Sequence, residues 1–162
     1  MKKHINIESL PEFNNHKMVS YFYDNKTGLK GFISIHNTNL GCAAGGTRYF
    51  EYESEEDALR DALRLSMAMT YKCALADVRY GGGKAVIIKN GRPKNEDYLK
   101  IYAEKINILN GNFNTGEDVG INENDVKVLS KYSKFIIGKP GCGGDPSPWA
   151  SLGVYHSIRA AL

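Results

Sequence analysis

The stretch "ADVRYGGGKAVII", residues 76–88, carries three successive glycines, Gly81, Gly82 and Gly83, with Lys84 directly after them. Glycines ahead of a lysine are the usual mark of a loop that cradles a phosphate, and whether this one does so decides the fold. The phosphate-loop pattern G-x-x-x-x-G-K-[ST] needs glycine at position 78 and Ser or Thr at 85, where Val78 and Ala85 stand. The order of elements fails as well. A phosphate loop follows a strand and opens a helix, whose N-terminal N–H groups face the anion. Here a helix pattern precedes the glycine loop and a short apolar strand pattern, "KAVIIK" (84–89), follows it. The dinucleotide fingerprint G-x-G-x-x-G occurs nowhere in the chain, since "GCAAGG" and "GCGGD" have the wrong spacing.

The helix before the loop is the clearest element in the sequence. In "SEEDALRDALRLSMAMTYK" (54–72), Ser54 with Asp57 three residues on makes a capping-box-like start, and Glu55, Glu56 and Asp57 suit the positive end of the helix dipole. Ala58, Ala62, Leu65 and Met69 recur at helical spacing as one buried stripe, which Lys72 continues. Upstream, "HKMVSYFYD" (16–24) and "LKGFISIH" (29–36) flank the turn residues "NKTG" and predict a β-hairpin. "LGCAAGGTRYF" (40–50) leads into a third strand. Downstream, helices are predicted over 95–111 and 122–132, and strands within 112–120 and over 134–139. The second helix has Tyr98, Tyr102, Ile106 and Leu109 on one face. A loop over 140–145 leads to a last helix, with Ser147 as N-cap and Pro148 at its first position. Strands alternating with helices after an opening hairpin give an α/β fold, a mixed β-sheet flanked by helices.

The 162 residues are enough for one domain with a core of its own. A net charge of +3 without a dense Lys/Arg stripe argues against a nucleic-acid partner. No apolar run is long enough for a membrane span and no secretory leader is visible. The three cysteines, Cys42, Cys73 and Cys142, are widely spaced and odd in number, which fits a reducing compartment, the cytoplasm. No metal-ligand spacing is present. The last helix runs to "SIRAAL" without a stop, so the chain is expected to be one domain of a longer protein.

Three ionisable residues stand out. Lys84, at the mouth of an apolar strand and behind three residues without side chains, is hemmed in by backbone. Desolvation lowers a lysine's pKa, and a lysine near neutrality serves as a general base. Lys72 closes a buried helical stripe, where an ammonium needs an anion such as a substrate carboxylate. "TGEDVG" (115–120) places Glu117 and Asp118 on a loop after a strand, a site for a proton-relaying carboxylate. Each has a plainer alternative: a solvated strand end for Lys84, a snorkelling helix terminus for Lys72, a turn or cap residue for Asp118.

The ordered set "AAGGTR" (43–48), "SEEDALRDALRLSMAMTYKCALA" (54–76), "YGGGKAVI" (80–87), "TGEDVG" (115–120) and "GDPSPWASLGVY" (144–155) resembles the Glu/Leu/Phe/Val dehydrogenase family. It looks most like the N-terminal, substrate-binding and dimerisation domain of the leucine dehydrogenase branch and its aromatic relatives. The resemblance implies reversible NAD-dependent oxidative deamination of an apolar L-amino acid to its 2-oxo acid and ammonia. It implies that Lys72 binds the substrate carboxylate, with the backbone of Gly45 and Gly46 close by. Lys84 would activate water and Asp118 would exchange protons with the substrate amine. Ala44, Met69 and Gly116 would line the side-chain pocket. Ala44 stands where leucine dehydrogenases tend to carry leucine, and Gly116 where they tend to carry alanine, so the pocket should be enlarged. Asp77 and Tyr80 depart from a more apolar "GLPLGGG" pattern.

By the same resemblance, residues 1–147 would form the substrate and oligomer domain, and 148–162 the start of a helix into an NAD-binding Rossmann domain that this chain lacks. No cofactor-binding residue is therefore expected within the chain, which alone would be inactive, and self-association into a homo-oligomer is expected. The glycines 81–83 would let substrate and backbone come close around Lys84. The rival reading is a stand-alone module that binds an amino or oxo acid, or assembles, without catalysis.

Overall fold

The computed structural model describes residues 5–139 and 141–162. The hairpin forms as its composition predicts: β1 (Met18–Tyr23) and β2 (Lys30–Asn37) pair antiparallel, with Phe22 opposite Gly31 and Met18 opposite Ile35. Asp24 closes the turn, its carboxylate accepting from the Thr27 N–H and hydroxyl, each at 2.7 Å. With β3 (Ala43–Phe50), β4 (Gly81–Ile88) and β5 (Phe113–Gly116) the strands make one sheet in the order β1-β2-β4-β3-β5. β4 runs antiparallel to β2 and parallel to β3, and β5 runs parallel to β3. A parallel pair needs a crossover, and α1 (Glu55–Leu75) supplies the one between β3 and β4.

The central strand β4 is buried along its whole length, so it has no polar face. Its residues alternate between two cores. Ala85 and Ile87 join Tyr98, Tyr102 and Ile106 of α2 (Glu96–Ile108) and Val126 and Leu129 of α3 (Glu123–Tyr132) on one side. Val86 and Ile88 join Ala58, Leu59, Ala62 and Leu63 of α1 on the other. The Thr47 hydroxyl ties the first core together, meeting the Tyr102 hydroxyl at 2.5 Å and that of Thr115 at 2.7 Å. One side chain on each of β3, α2 and β5 is thereby locked in a shared buried bond.

Four expectations need correction. The glycines 81–83 are not a loop: they are the first three residues of β4, paired with β2 and β3. The buried stripe of α1 is Ala58, Leu59, Ala62, Leu63 and Ser66, while Leu65 and Met69 are half-buried and Lys72 is exposed. The face turned to the sheet continues instead through Ser66, Thr70 and the buried Cys73, so Met69 and Lys72 stand one position round the helix from it. Residues 134–139 form only an isolated bridge, Ile136 with Thr115, because β5 offers a four-residue edge and Gly138 turns away at φ +70°. Ser147 is the first residue of α4 (Ser147–Ala161) and not its cap; Asp145 accepts its N–H at 2.8 Å instead. Of the predicted 140–145 loop, Pro140 lies outside the described residues and the rest is turn and coil.

Candidate active site

The three glycines of β4 set how the site is built. A side chain on Gly82 would run into Thr70 and the Ser66 carbonyl of α1, and one on Gly83 would meet the Phe113 ring at 2.7 Å. The space the glycines leave is thus taken by protein. Its use is to let the second half of α1 lie close on the sheet, where Ser66 Oγ meets Ser34 Oγ at 2.9 Å and Thr70 Oγ1 meets His36 Nδ1 at 2.8 Å. That corrects the expectation that these glycines make room for substrate. The close docking carries Met69 and Lys72 to the rim of a cavity of about 500 Å³.

Every site residue expected from the sequence lines this cavity. β3 contributes Ala44, Gly45 and Gly46; α1 contributes Met69 and Lys72; β4 contributes Lys84; β5 and the loop after it contribute Gly116 and Asp118. Val119, Ile121, Ile137 and the start of α4 at Ser147 and Ala150 complete the wall. Gly46 has a packing reason, because a Cβ there would press on that of Asp118 at 2.8 Å. Gly116 also departs from expectation. The methyl that it lacks would meet the Ile137 carbonyl oxygen at 2.6 Å, so the absent group admits Ile137 backbone and does not simply enlarge the cavity.

Lys84 is only 4% exposed, and its Nζ lies 3.0 Å from Asp118 Oδ1. It is no solvated strand end. Burial drives the ammonium below the ordinary lysine pKa, and Asp118 offsets only part of this because it is shared with Arg48. Asp118 is itself desolvated, but the two cations outweigh that and hold its carboxyl below the usual range. We take the pair as an ionised Asp118 beside a lysine that gives up its proton more readily than a free one. Lys72, by contrast, is exposed on the cavity wall, and its ammonium has no ion-pair or hydrogen-bond partner among the described residues.

Two residues that sequence reasoning missed complete the arrangement. Arg48 donates from Nε to Asp118 Oδ2 at 2.8 Å and from Nη1 to Asp61 Oδ2 at 2.9 Å. Asp61 is buried in α1 and also accepts from Tyr52 and Arg64. The sign was there to be read: an aspartate at position 61 lies within the apolar face formed by Ala58, Leu59, Ala62 and Leu63, where an unpaired charge is costly.

The model of the Glu/Leu/Phe/Val dehydrogenase dimerisation domain matches residues 15–135. The chain belongs to the Glu/Leu/Phe/Val dehydrogenase family. Relatives include an L-tryptophan dehydrogenase of Nostoc punctiforme, 46% identical over 147 residues, and a phenylalanine dehydrogenase of Caldalkalibacillus thermarum, 45% identical over 153. A leucine dehydrogenase of Geobacillus stearothermophilus is 43% identical over 151 residues. These matches cover 91%, 92% and 91% of this chain but 42%, 41% and 41% of the relatives, so the chain spans about two fifths of their length. The crystal structure of the Nostoc L-tryptophan dehydrogenase superposes with a TM-score of 0.76 at 44% identity, covering 91% of this chain and 42% of that one. A hetero-hexameric glutamate dehydrogenase from Thermus thermophilus, at 21% identity and a TM-score of 0.64 over 80% of this chain and 36% of that one, shares the fold. Among the described residues, no helix of this family member is long and apolar enough to cross a membrane.

Proposed function

We propose that this chain is the substrate-binding and oligomerisation domain, residues 1–147, of an NAD-dependent L-amino-acid dehydrogenase that oxidatively and reversibly deaminates an apolar amino acid. The observation that carries the reading is one cavity holding Lys72, a cation with no partner among the described residues, beside a buried lysine–carboxylate pair, Lys84 and Asp118. The sequence holds no G-x-G-x-x-G turn. In this reading hydride acceptance belongs to a Rossmann domain that follows the helix over 148–162, and residues 1–147 supply binding and proton transfer.

The α-carboxylate of the substrate sits on Lys72 Nζ, against the backbone of Gly45 and Gly46. Its side chain enters the part of the cavity walled by Ala44, Met69 and Gly116, and its amino group faces Asp118. Asp118 exchanges a proton with that amine. Lys84 takes the proton of the water that adds to the substrate-derived imine, after which ammonia leaves and the 2-oxo acid remains. Burial lowers the pKa of Lys84, which brings the amine toward the range in which it can act as a base. Relatives that act on tryptophan, phenylalanine and leucine support an apolar substrate, branched-chain or aromatic. The family description of a dimerisation domain supports a homo-oligomer, and unpaired cysteines accord with the cytoplasm.

The reading is tested in the complete enzyme by NADH formation with L-Leu, L-Val, L-Ile, L-Phe and L-Trp. At least one should be turned over. Lys72→Ala should then raise KM for that amino acid on the order of tenfold to a hundredfold, the worth of one charge-assisted hydrogen bond, with a smaller change in kcat. An unchanged KM would remove Lys72 from the site.

A further inference from the structure

Arg48 and Asp61 have no part in the steps above, yet they are built into the site. Arg48 extends from β3 two residues beyond Gly46 and reaches Asp118 with one edge of its guanidinium and Asp61 with the other. Asp61, 8% exposed, is fixed in turn by the Tyr52 hydroxyl at 2.6 Å and Arg64 Nη2 at 2.7 Å. A half-buried ion network of this kind contributes little stability over apolar packing, so stability alone does not account for it. The geometry supplies a use for it. With Oδ2 of Asp118 bound to Arg48 and Oδ1 to Lys84, the carboxylate plane is set, each oxygen keeps acceptor capacity, and Asp118 lines the cavity.

We propose that Arg48, anchored by Asp61, is a positioning residue that fixes the orientation of Asp118 and divides that carboxylate's charge between itself and Lys84. The inference rests on the roles proposed above for Lys84 and Asp118. Its electrostatic consequence has two opposite signs. Around Lys84 stand Asp118 and Glu117 after β5, Arg48 on β3, and Asp61 and Lys72 on α1, with His36 on β2 bonded to Thr70. Burial lowers the Lys84 pKa most, Arg48 lowers it further, and Asp118 and Asp61 raise it. Removing Arg48 therefore returns the whole of Asp118 to Lys84 and raises its pKa. Neutralising Asp61 removes a negative charge that raises it and leaves Arg48 with Asp118 alone, and so lowers it.

The test is the pH profile of kcat/KM for amino-acid oxidation by the complete enzyme, whose acidic limb reports the essential base. Arg48→Gln should move that limb to higher pH, so that kcat/KM at a pH on the limb falls about threefold or more beyond any change on the plateau. Asp61→Asn, nearly the same shape, should move it to lower pH. Limbs that stay in place, or that move in the same direction, overturn the proposal. If Arg48→Gln does not fold, the shift with Asp61→Asn decides alone. Failure of the underlying reading looks different: Lys84→Ala would then stay active, whereas an inactive Lys84→Ala with unmoved limbs overturns only the role of Arg48.

Discussion

Lys84→Ala in the complete enzyme is expected to lower kcat/KM for the amino-acid substrate by about 10³-fold or more while the protein stays folded. A positioned general base is worth roughly 10²- to 10⁴-fold, and Lys84 is the buried amine in contact with Asp118 on the cavity wall. The upper part of that range applies because the substitution also frees one oxygen of Asp118. The fold should survive for a reason of sign. A lysine whose folded pKa lies below its unfolded value lowers stability at every pH below that unfolded value, whether the cost is burying the ammonium or giving up its proton. Deleting it removes that penalty, and Asp118 keeps Arg48 as a partner. The same shift sets the pH dependence: turnover that needs neutral Lys84 rises with pH and does so below the ordinary lysine range. Steady-state kinetics with thermal melting checks both halves. A kcat/KM within tenfold of the parent would show that Lys84 is not the base.

How much of this was legible in the sequence depends on how locally each feature is determined. Helix α1 was plain because its start is a local event: Ser54 Oγ accepts the Asp57 N–H at 3.1 Å, three residues away. The hairpin was plain for the same reason, with Asp24 and Gly28 closing a turn between two β-branched and aromatic runs. The 134–139 segment was misread because "KFIIGK" has strand composition, yet a strand needs a partner of matching length and β5 offers four residues. The glycines were misread as a loop because glycine usually marks a turn in sequence. Their function depends on α1 and Phe113 crossing over them, which no local pattern encodes.

The same limit explains the site. Lys84, Lys72 and Asp118 could be singled out as unusual residues, but the convergence of three elements on one cavity is a tertiary fact. Arg48 was passed over because nothing near it in the chain reveals its partners, Asp61 and Asp118, 13 and 70 residues away. Gly116 was read as a larger pocket because Ile137, which fills the space, lies in the segment whose strand was wrongly expected.

Gly82→Ala is expected to destabilise the domain by about 3 kcal/mol or more, beyond the usual cost of one added methyl in a packed core. The reason is what the methyl meets. Its neighbours are the Thr70 N and Ser66 O of α1's backbone as well as the Thr70 hydroxyl, so no side-chain rotation relieves the contact. The helix must move off the sheet instead, which opens the Ser34–Ser66 and His36–Thr70 contacts. A domain of ordinary stability has only about 5–15 kcal/mol in hand, so a fall of this size should show as a large drop in melting temperature or urea midpoint. Gly153→Ala is the control: it lies within α4, nothing stands within 4 Å of the added methyl, and its backbone is helical. There the change should be neutral or stabilising by about 0.5–1 kcal/mol, the helix preference of Ala over Gly. Displacement of α1 also carries Lys72 and Met69 away from Lys84, so Gly82→Ala protein that remains folded should show a raised KM as well. A Gly82→Ala domain within 1 kcal/mol of the parent would mean that the approach of α1 to β4 is not what these glycines permit.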